Sequence, residues 1–336
     1  MISLTERHTF GLSANCPDIQ TIKSVDGLVT ILNKLKNQGV DENYLVLGEG
    51  SNTIFTEDIN MPVLVNSIKG IEYTKTNVCH KMKVGAGENW HELVKWCIEN
   101  HIYGFENLAL IPGSVGAAPI QNIGAYGIEI ERFIDNVEFF DTDNNVINTF
   151  TKKECLFGYR DSVFKHQKLN QRIITHVMFS LPVENELVVN YSPLDKLDNP
   201  TPQTVFEEVV NTRNRKLPNP TKIGNSGSFY KNPVITEEHL KQLQLSHPDI
   251  PWYPNANSMV KVPAAWLIDK LGFKGTSHGQ IGCHKHQPLV LVNLGKGTGE
   301  ELLYFAKLIK QKVKESFDIN LENEVRIMGA DGLIIL

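Results

Sequence analysis

The sequence predicts an α+β protein of two or three domains, and three observations carry that reading. The chain is 336 residues long, enough for more than one hydrophobic core. Hydrophobic residues make up 41% and charged residues 21% of it, an ordinary globular balance. Between residues 20 and 180, segments of strand and helix character follow one another with no βαβ rhythm, which argues against a doubly wound parallel sheet.

Composition also narrows the function classes. A net charge of -5 provides no positive field for nucleic acid or an anionic membrane. No apolar run approaches a membrane span. The opening Met-Ile-Ser-Leu-Thr-Glu-Arg-His lacks the basic start and apolar core of a secretion signal, so a cytoplasmic location is expected. Cys16, Cys79, Cys97, Cys155 and Cys283 form no Cys-x-x-Cys pair and read as reduced thiols. Cys283-His284-Lys285-His286, with His278 nearby, fits none of the usual zinc spacings, and no metal is expected.

Taken in order, Leu28, Ile31, Leu32 and Leu35 recur at i, i+3, i+4, i+7 between Gly27 and Gly39 and predict a short amphipathic helix. Residues 44–47 read as a buried strand running into Gly48-Glu49-Gly50-Ser51-Asn52. A strand and a glycine-rich turn suit a phosphate, yet Thr53 stands where a dinucleotide fingerprint needs its third glycine. In a second candidate, Gly85-Ala86-Gly87, Trp90 does the same. Residues 62–66 and 81–86 read as strands. Asn89 caps a helix, Glu92 completes a capping box, and Trp90, Leu93, Val94 and Ile98 form the buried face. Residues 137–141 and 146–150 form a hairpin through Asp143-Asn144-Asn145, and 173–179 another strand. Residues 184–204 are polar, with Pro193, Pro200 and Pro202, and predict an exposed excursion or mobile loop. A helix at 203–215 carries Phe206, Val209 and Val210 on one face, and Pro218 and Pro220 mark a boundary. Helices at 264–271, closed by Gly272, and at 300–317 then flank a strand at 289–293. The longer helix buries Leu302, Ala306, Ile309 and Val313, and residues 322–328 and 333–336 close the chain as strands.

Four segments carry candidate chemistry. Residues 111–127, Ile-Pro-Gly-Ser-Val-Gly-Ala-Ala-Pro-Ile-Gln-Asn-Ile-Gly-Ala-Tyr-Gly, hold four glycines and almost no charge. A ligand there must meet backbone N–H groups, as a pyrophosphate does in a nest of amides; a buried turn between strands is the alternative. Tyr159-Arg160-Asp161-Ser162 reads either as a surface turn with Arg160 paired to Asp161 or as a guanidinium gripping a carboxylate or phosphate. Gly227-Ser228-Phe229, with Lys231 and Asn232, holds a serine that is either a turn hydroxyl or functional. Residues 224–228 lack the last glycine of G-x-S-x-G, so a serine hydrolase is unsupported. On a strand, Glu322, Glu324 and Arg326 would share one face, either a solvated edge or an acid with a raised pKa in a cleft.

Taken together and in order, Gly48 to Asn52, residues 111–127, Tyr159 to Ser162, Gly224 to Phe229 and Glu322 to Arg326 closely resemble the UDP-N-acetylenolpyruvoylglucosamine reductase family, flavin enzymes of bacterial peptidoglycan precursor synthesis. The resemblance runs from His8-Thr9-Phe10-Gly11 to the C-terminus. It implies a vanillyl-alcohol-oxidase-type FAD-binding part of two α+β subdomains, with a C-terminal α+β substrate domain. The expected boundaries are 1–66 and 67–215 for the subdomains, with 327–336 returning to the first, and 216–326 for the substrate domain. The failed dinucleotide fingerprints agree with this, since that flavin fold uses none.

The resemblance implies that FAD is held by Gly48, Gly50, Ser51, Asn52, Gly113, Ser114, Val115, Gly116, Gln121, Asn122, Gly124, Ala125, Tyr126 and Gly127. With His and Cys absent from 113–127, the flavin is expected to be non-covalent. In the family, NADPH reduces FAD and leaves, and UDP-N-acetylglucosamine enolpyruvate takes its place. Hydride then passes from flavin N5 to the enol-ether methylene carbon. Arg160 matches the arginine that holds the substrate carboxylate, Glu324 the glutamate that assists there, and Ser228 the serine that protonates the carbanionic carbon, with help from Lys216 or Lys231. The excursion resembles the family form in which a tyrosine-bearing loop closes over the nucleotide, making Tyr191 that tyrosine. Tyr159, Lys216, Lys231, Asn232 and Gln287 are expected substrate contacts. Asn323 stands where proline is common, and Ser114 at a variable position; Glu322 is the alternative actor to Glu324. A flavin oxidase of the same fold and a non-catalytic flavin or UDP-sugar binder are the competing readings; the Ser228 and Glu324 segments count against the first, and Arg160, Ser228 and Glu324 against the second. A monomer without nucleic-acid or membrane partners is expected.

Overall fold

In the computed structural model, which describes every residue except 41 and 167–171, the chain alternates between two compact units. Pro17–Glu49 and Met61–Arg215 form a central unit; Met1–Cys16, Gly50–Asn60 and Lys216–Leu336 form a C-terminal unit. Residues 1–66 are thus divided between the two.

The central unit holds two sheets. Ile19–Ile22, Val63–Asn66 and Leu45–Leu47 make a small parallel sheet in that order. Helix α1, Val25–Asn37, packs there: Leu28 and Leu35 are buried with Ile22, Tyr44, Leu64, Phe140 and Ile173. Ser24 caps α1 through the Gly27 N–H at 3.1 Å, so Gly27 lies in the first turn and does not bound the helix. The second sheet is antiparallel, with the order Val146–Thr151, Ile134–Asp141, Arg172–Pro182, Cys79–Gly85, Ile71–Lys75. Its apolar face buries Met82, Val84, Val137, Phe139, Val177 and Phe179 together with helix α2, Trp90–Glu99.

Asn89 caps α2, accepting from Glu92 N–H at 3.0 Å, but the reciprocal half of the expected capping box is not made. The Asn89 amide turns to Glu49, at 2.8 and 3.0 Å, while Glu92 meets Lys95 at 3.0 Å. The buried stripe of α2 is Trp90, Leu93, Val94 and Cys97; Ile98, one position round the helix, is half-buried. The 184–204 excursion is docked: Leu194 is fully buried in this core, and Val188, Val189 and Leu197 pack against it. Helix α3, Pro202–Lys216, buries Val205, Val209 and Thr212, so its inner face is turned one residue from the expected one.

The C-terminal unit carries helices α4, Glu237–Ser246, α5, Ala264–Lys270, and α6, Gly299–Phe317. Helix α6 starts with a full capping box between Thr298 and Glu301 and buries Leu302, Phe305, Ala306, Ile309, Val313 and Phe317. Gly224–Asn225, Leu291–Asn293, Ile281–Cys283 and Ser277–His278 form one antiparallel sheet. Thr53–Phe55 pairs in parallel with Arg326–Gly329, which turns back onto Gly332–Ile334. The strand expected at 322–328 therefore begins only at Arg326. Before it, Asn323 makes a single bridge to Tyr230, and the segment changes partners, with Glu324 N–H on Phe229 O and Arg326 N–H on Asn52 O, both at 2.9 Å. The alternating-face argument for Glu322 and Glu324 does not apply to such a segment.

All five cysteines are free thiols. Among the described residues no helix is long and apolar enough to cross a membrane, and no three His, Cys, Asp or Glu side chains gather to hold a metal.

Asn293 tests how the C-terminal unit is held. Its buried amide donates to Phe10 O and Gly11 O at 3.2 Å and accepts from Gly295 and Gly297 N–H at 3.1 and 3.0 Å. Asn293→Ala strands all four groups, and an expected loss of about 2–4 kcal/mol should appear as a lower urea midpoint. An unchanged midpoint would show that these bonds do not hold the unit.

Candidate functional site

In the central unit, the glycine-rich stretch is stitched to the segment that follows strand Cys79–Gly85. Val115 and Gly116 donate to Glu88 O and Ala86 O at 2.8 Å, and Trp90 N–H donates to Gly113 O at 2.9 Å. One 3-10 turn, Val115–Ala117, follows. Asn122, fully buried with φ of 45°, then holds the turn. Its amide donates to Gly158 O and Glu129 Oε2 at 3.1 Å, and its carbonyl accepts from Glu131 N–H at 3.1 Å. The Asn122 side chain is thus engaged within the loop, and what that loop offers a ligand is main chain.

The two glycine-rich segments meet inside this unit. A Cβ built on Gly48 would lie 2.5 Å from Ser114 Oγ, so a side chain at 48 would push the Ser114 hydroxyl out of its present position. Gly113 and Ser114 are buried, yet among the described residues their backbone N–H groups donate to no carbonyl or side chain, and neither do those of Gly48 and Glu49. Buried amides are normally paired. The buried N–H groups of Gly113 and Ser114, beside the half-buried one of Gly48, suit anionic oxygens.

Arg160 is held against the same stretch, with φ of 54°. Its guanidinium donates to Gly124 O at 2.7 Å and Asn122 O at 3.4 Å, and it lies 5.4 Å from the Tyr159 ring centroid. Ser162 donates to Ile120 O at 2.7 Å, while Asp161 meets His166 at 2.7 Å. On α3, Arg213 donates to Leu110 O at 3.3 Å. Burial lowers its pKa; Tyr126 opposes this and the charge of Arg160 adds to it. The guanidinium stays charged, so Arg160 and Arg213 each bring a permanent positive charge to this stretch, with the Glu129 side chain beside Arg160 at Gly124. Sequence reasoning missed Arg213, and its place beside the apolar positions of α3 was the available signal. Tyr191 lies over Gly127: a Cβ there would sit 2.6 Å from its ring.

The C-terminal unit gathers the other candidates. Gly50 packs on the main chain of Arg7 and His8, and Ser51 O accepts from Thr9 Oγ1 at 3.4 Å. Asn52 donates to Glu324 O at 3.1 Å, so Glu324 is clamped on both sides of its main chain. Opposite it, the Gly227 turn carries Ser228, half-buried and with no hydrogen-bond partner among the described residues. The Ser226 hydroxyl in the same turn is buried and also unpartnered. Lys231 pairs with Glu322 at 2.9 Å, and the Glu322 side chain is 72% exposed. Asn232 accepts from Ala264 N–H at 3.0 Å at the start of α5. Gln287 accepts from Leu289 N–H at 3.4 Å, and Lys216 is exposed.

Residues 219–328 match the family model described as UDP-N-acetylenolpyruvoylglucosamine reductase, C-terminal domain, and residues 19–149 match the one described as FAD binding domain. The chain is 48% identical over 334 residues to UDP-N-acetylenolpyruvoylglucosamine reductase of Pseudoalteromonas atlantica, covering 99% of this chain and 96% of that protein. It is 44% identical over 335 residues to the reductase of Escherichia coli strain K12, covering 98% and 96%. Among solved structures, UDP-N-acetylenolpyruvylglucosamine reductase (MurB) from Thermus caldophilus covers 97% of each chain, with a TM-score of 0.65 at 23% identity, a likeness of fold.

The segment matching the FAD-binding domain contains Gly48, Ser114 and the whole glycine-rich stretch, and the unpartnered amides fit the pyrophosphate of FAD. Gly48→Ala is expected to weaken flavin retention about tenfold, read by absorbance near 450 nm after gel filtration, because the new methyl displaces Ser114. Adding Ser114→Ala, which removes the colliding hydroxyl, should restore it; a double variant as flavin-poor as the single one would rule out this contact. At 48% and 44% identity over nearly its whole length, the chain belongs to the UDP-N-acetylenolpyruvoylglucosamine reductase family.

Proposed function

We propose that this chain catalyses the NADPH-dependent, FAD-mediated reduction of UDP-N-acetylglucosamine enolpyruvate to UDP-N-acetylmuramate, a precursor of peptidoglycan. The observation that carries the reading is the pairing of the Ser228 turn with the Glu324 segment: Glu324 N–H donates to Phe229 O at 2.9 Å, next to a serine hydroxyl with no partner among the described residues. A proton donor needs such a free hydroxyl, and a simple binder does not.

Bound non-covalently, FAD supplies the two-electron carrier that takes hydride from NADPH and delivers it to the enolpyruvyl methylene carbon. The chain's own groups handle the charge. As hydride arrives, the adjacent carbon becomes carbanion-like and its charge spreads into the carboxylate. Arg160 holds that carboxylate with a permanent charge. Its orientation is pre-set by the carbonyls of Gly124 and Asn122, so little reorganisation is needed at the moment of reaction. Glu324 shares a hydrogen bond there. Half-buried Glu324 suits this role better than Glu322, which is solvated and paired with Lys231. Ser228 gives its proton to the carbon, and Lys216 or Lys231 stabilises the alkoxide left behind. Tyr159, Tyr191, Lys216, Lys231, Asn232 and Gln287 contact the UDP-sugar. NADPH and the substrate occupy one site in turn, in a cytoplasmic monomer.

The purified protein should be yellow, bleach anaerobically with NADPH, and recolour with UDP-N-acetylglucosamine enolpyruvate. A colourless protein that takes up no FAD would sink the cofactor assignment; bleached flavin that the enolpyruvyl substrate does not reoxidise would sink the reaction. Ser228→Ala should leave bleaching by NADPH within about twofold and slow recolouring about 100-fold or more, the usual worth of a general acid. Equal loss in both half-reactions would refute the proton-donor role. Arg160→Ala should raise KM for the enolpyruvyl substrate at least about tenfold, the loss of one charge-assisted contact.

A further inference from the structure

We propose that Asn107 is a positioning residue that ties the placement of Tyr191 over the nucleotide substrate to the cofactor-holding stretch; this rests on the reaction assigned above. Asn107 is 1% exposed, and its amide nitrogen donates to two carbonyls at 2.8 Å, that of Tyr126 and that of Val188. Both amide hydrogens are therefore in use, one on each segment. Tyr126 lies in the stretch that offers its main chain to the cofactor. Val188 lies in the excursion that carries Tyr191. One side chain bridges the two segments whose ligands must react with each other.

The neighbours of Asn107 make it a fixed reference. It sits in the 3-10 turn Glu106–Leu108. On one side, buried Glu106 accepts from Gly104 N–H at 2.6 Å; on the other, Trp90 Nε1–H donates to Leu108 O at 2.9 Å. The excursion has a second anchor in fully buried Leu194, whose N–H donates to Tyr191 O at 2.8 Å. Tyr191 is thus suspended between Val188 and Leu194. The ring can rest there only because position 127 is glycine: a Cβ would meet the ring at 2.6 Å and Val188 Cγ1 at 3.1 Å, and φ is 86°. Losing the Asn107 amide frees the Val188 end of this span and leaves the Leu194 end in place.

The test uses full-length, FAD-loaded protein carrying Asn107→Ala, Tyr191→Ala or both. Asn107→Ala should keep its flavin absorbance, raise KM for UDP-N-acetylglucosamine enolpyruvate at least tenfold with kcat within threefold, and speed tryptic cleavage after Lys196 at least fivefold, since cleavage follows local opening. In the Tyr191→Ala background the KM effect of Asn107→Ala should fall below twofold, because the two residues act as one unit. An undiminished KM rise in that background, or unchanged cleavage after Lys196, overturns the proposal. Should Asn107→Ala lose its flavin, Asn107→Ser, which keeps one donor, decides by the same two readouts. If wild-type protein is not reoxidised by the enolpyruvyl substrate, the assigned reaction fails, while cleavage after Lys196 still decides whether Asn107 holds the loop.

Discussion

The glycine-rich stretch depends on one buried amide, that of Asn122. Main-chain groups inside a protein must find partners, and this stretch finds them unequally. Its carbonyls are largely taken, that of Gly113 by Trp90 N–H, Ile120 by Ser162, Asn122 and Gly124 by Arg160, and Tyr126 by Asn107. The N–H groups of Gly113 and Ser114 are left without partners among the described residues. From Val115 onward most of its amides are paired as well, so the two open N–H groups at its start are what this main chain has left for an anionic ligand. The same bonds explain why Arg160 stands where it does: the guanidinium proposed to hold the substrate carboxylate is also a clamp on the glycine-rich loop.

The C-terminal unit solves a different problem, that of steadying two short segments that are not regular strands. The Ser228 turn and the Glu324 segment are joined by Glu324 N–H on Phe229 O and Lys231 N–H on Glu322 O. Asn52 then takes the Glu324 carbonyl from the other side. Behind them, the parallel pairing of Thr53–Phe55 with Arg326–Gly329 anchors the pair in a sheet. Leaving the strand just before Arg326 gives Glu322 and Glu324 separate environments, one solvated and one half-buried. An alternating strand would have given them the same one.

Where a feature was local, it was readable. The stripe of α1, the Asn89 cap, the hairpin at Asp143 to Asn145 and the burial of Leu302, Ala306, Ile309 and Val313 on α6 all follow from spacings within a few residues. The failures had partners far away in the chain. The capping box at Asn89 is only half made, and the Asn89 side-chain amide turns instead to Glu49, 40 residues away. The strand before Arg326 is cut short by bonds to Phe229 and Asn52. The excursion is exposed over most of its length, as its prolines and polar residues indicated, but its anchorage through Leu194 and Val188 was not visible in the sequence.

By itself, then, the sequence determined the α+β class, the positions of the main helices and strands, and, through five motifs in order, the family. These rest on periodicity, turn chemistry and residue identity, all carried by neighbouring residues. Only the tertiary structure decided which N–H groups would lack partners, which glutamate would be solvated, that Gly48 would lie on Ser114, and that one amide of Asn107 would join Tyr126 to Val188. Each of those turns on which residues distant in the chain come together, and hydrogen-bond pairing is settled only when all the competing groups have been brought together.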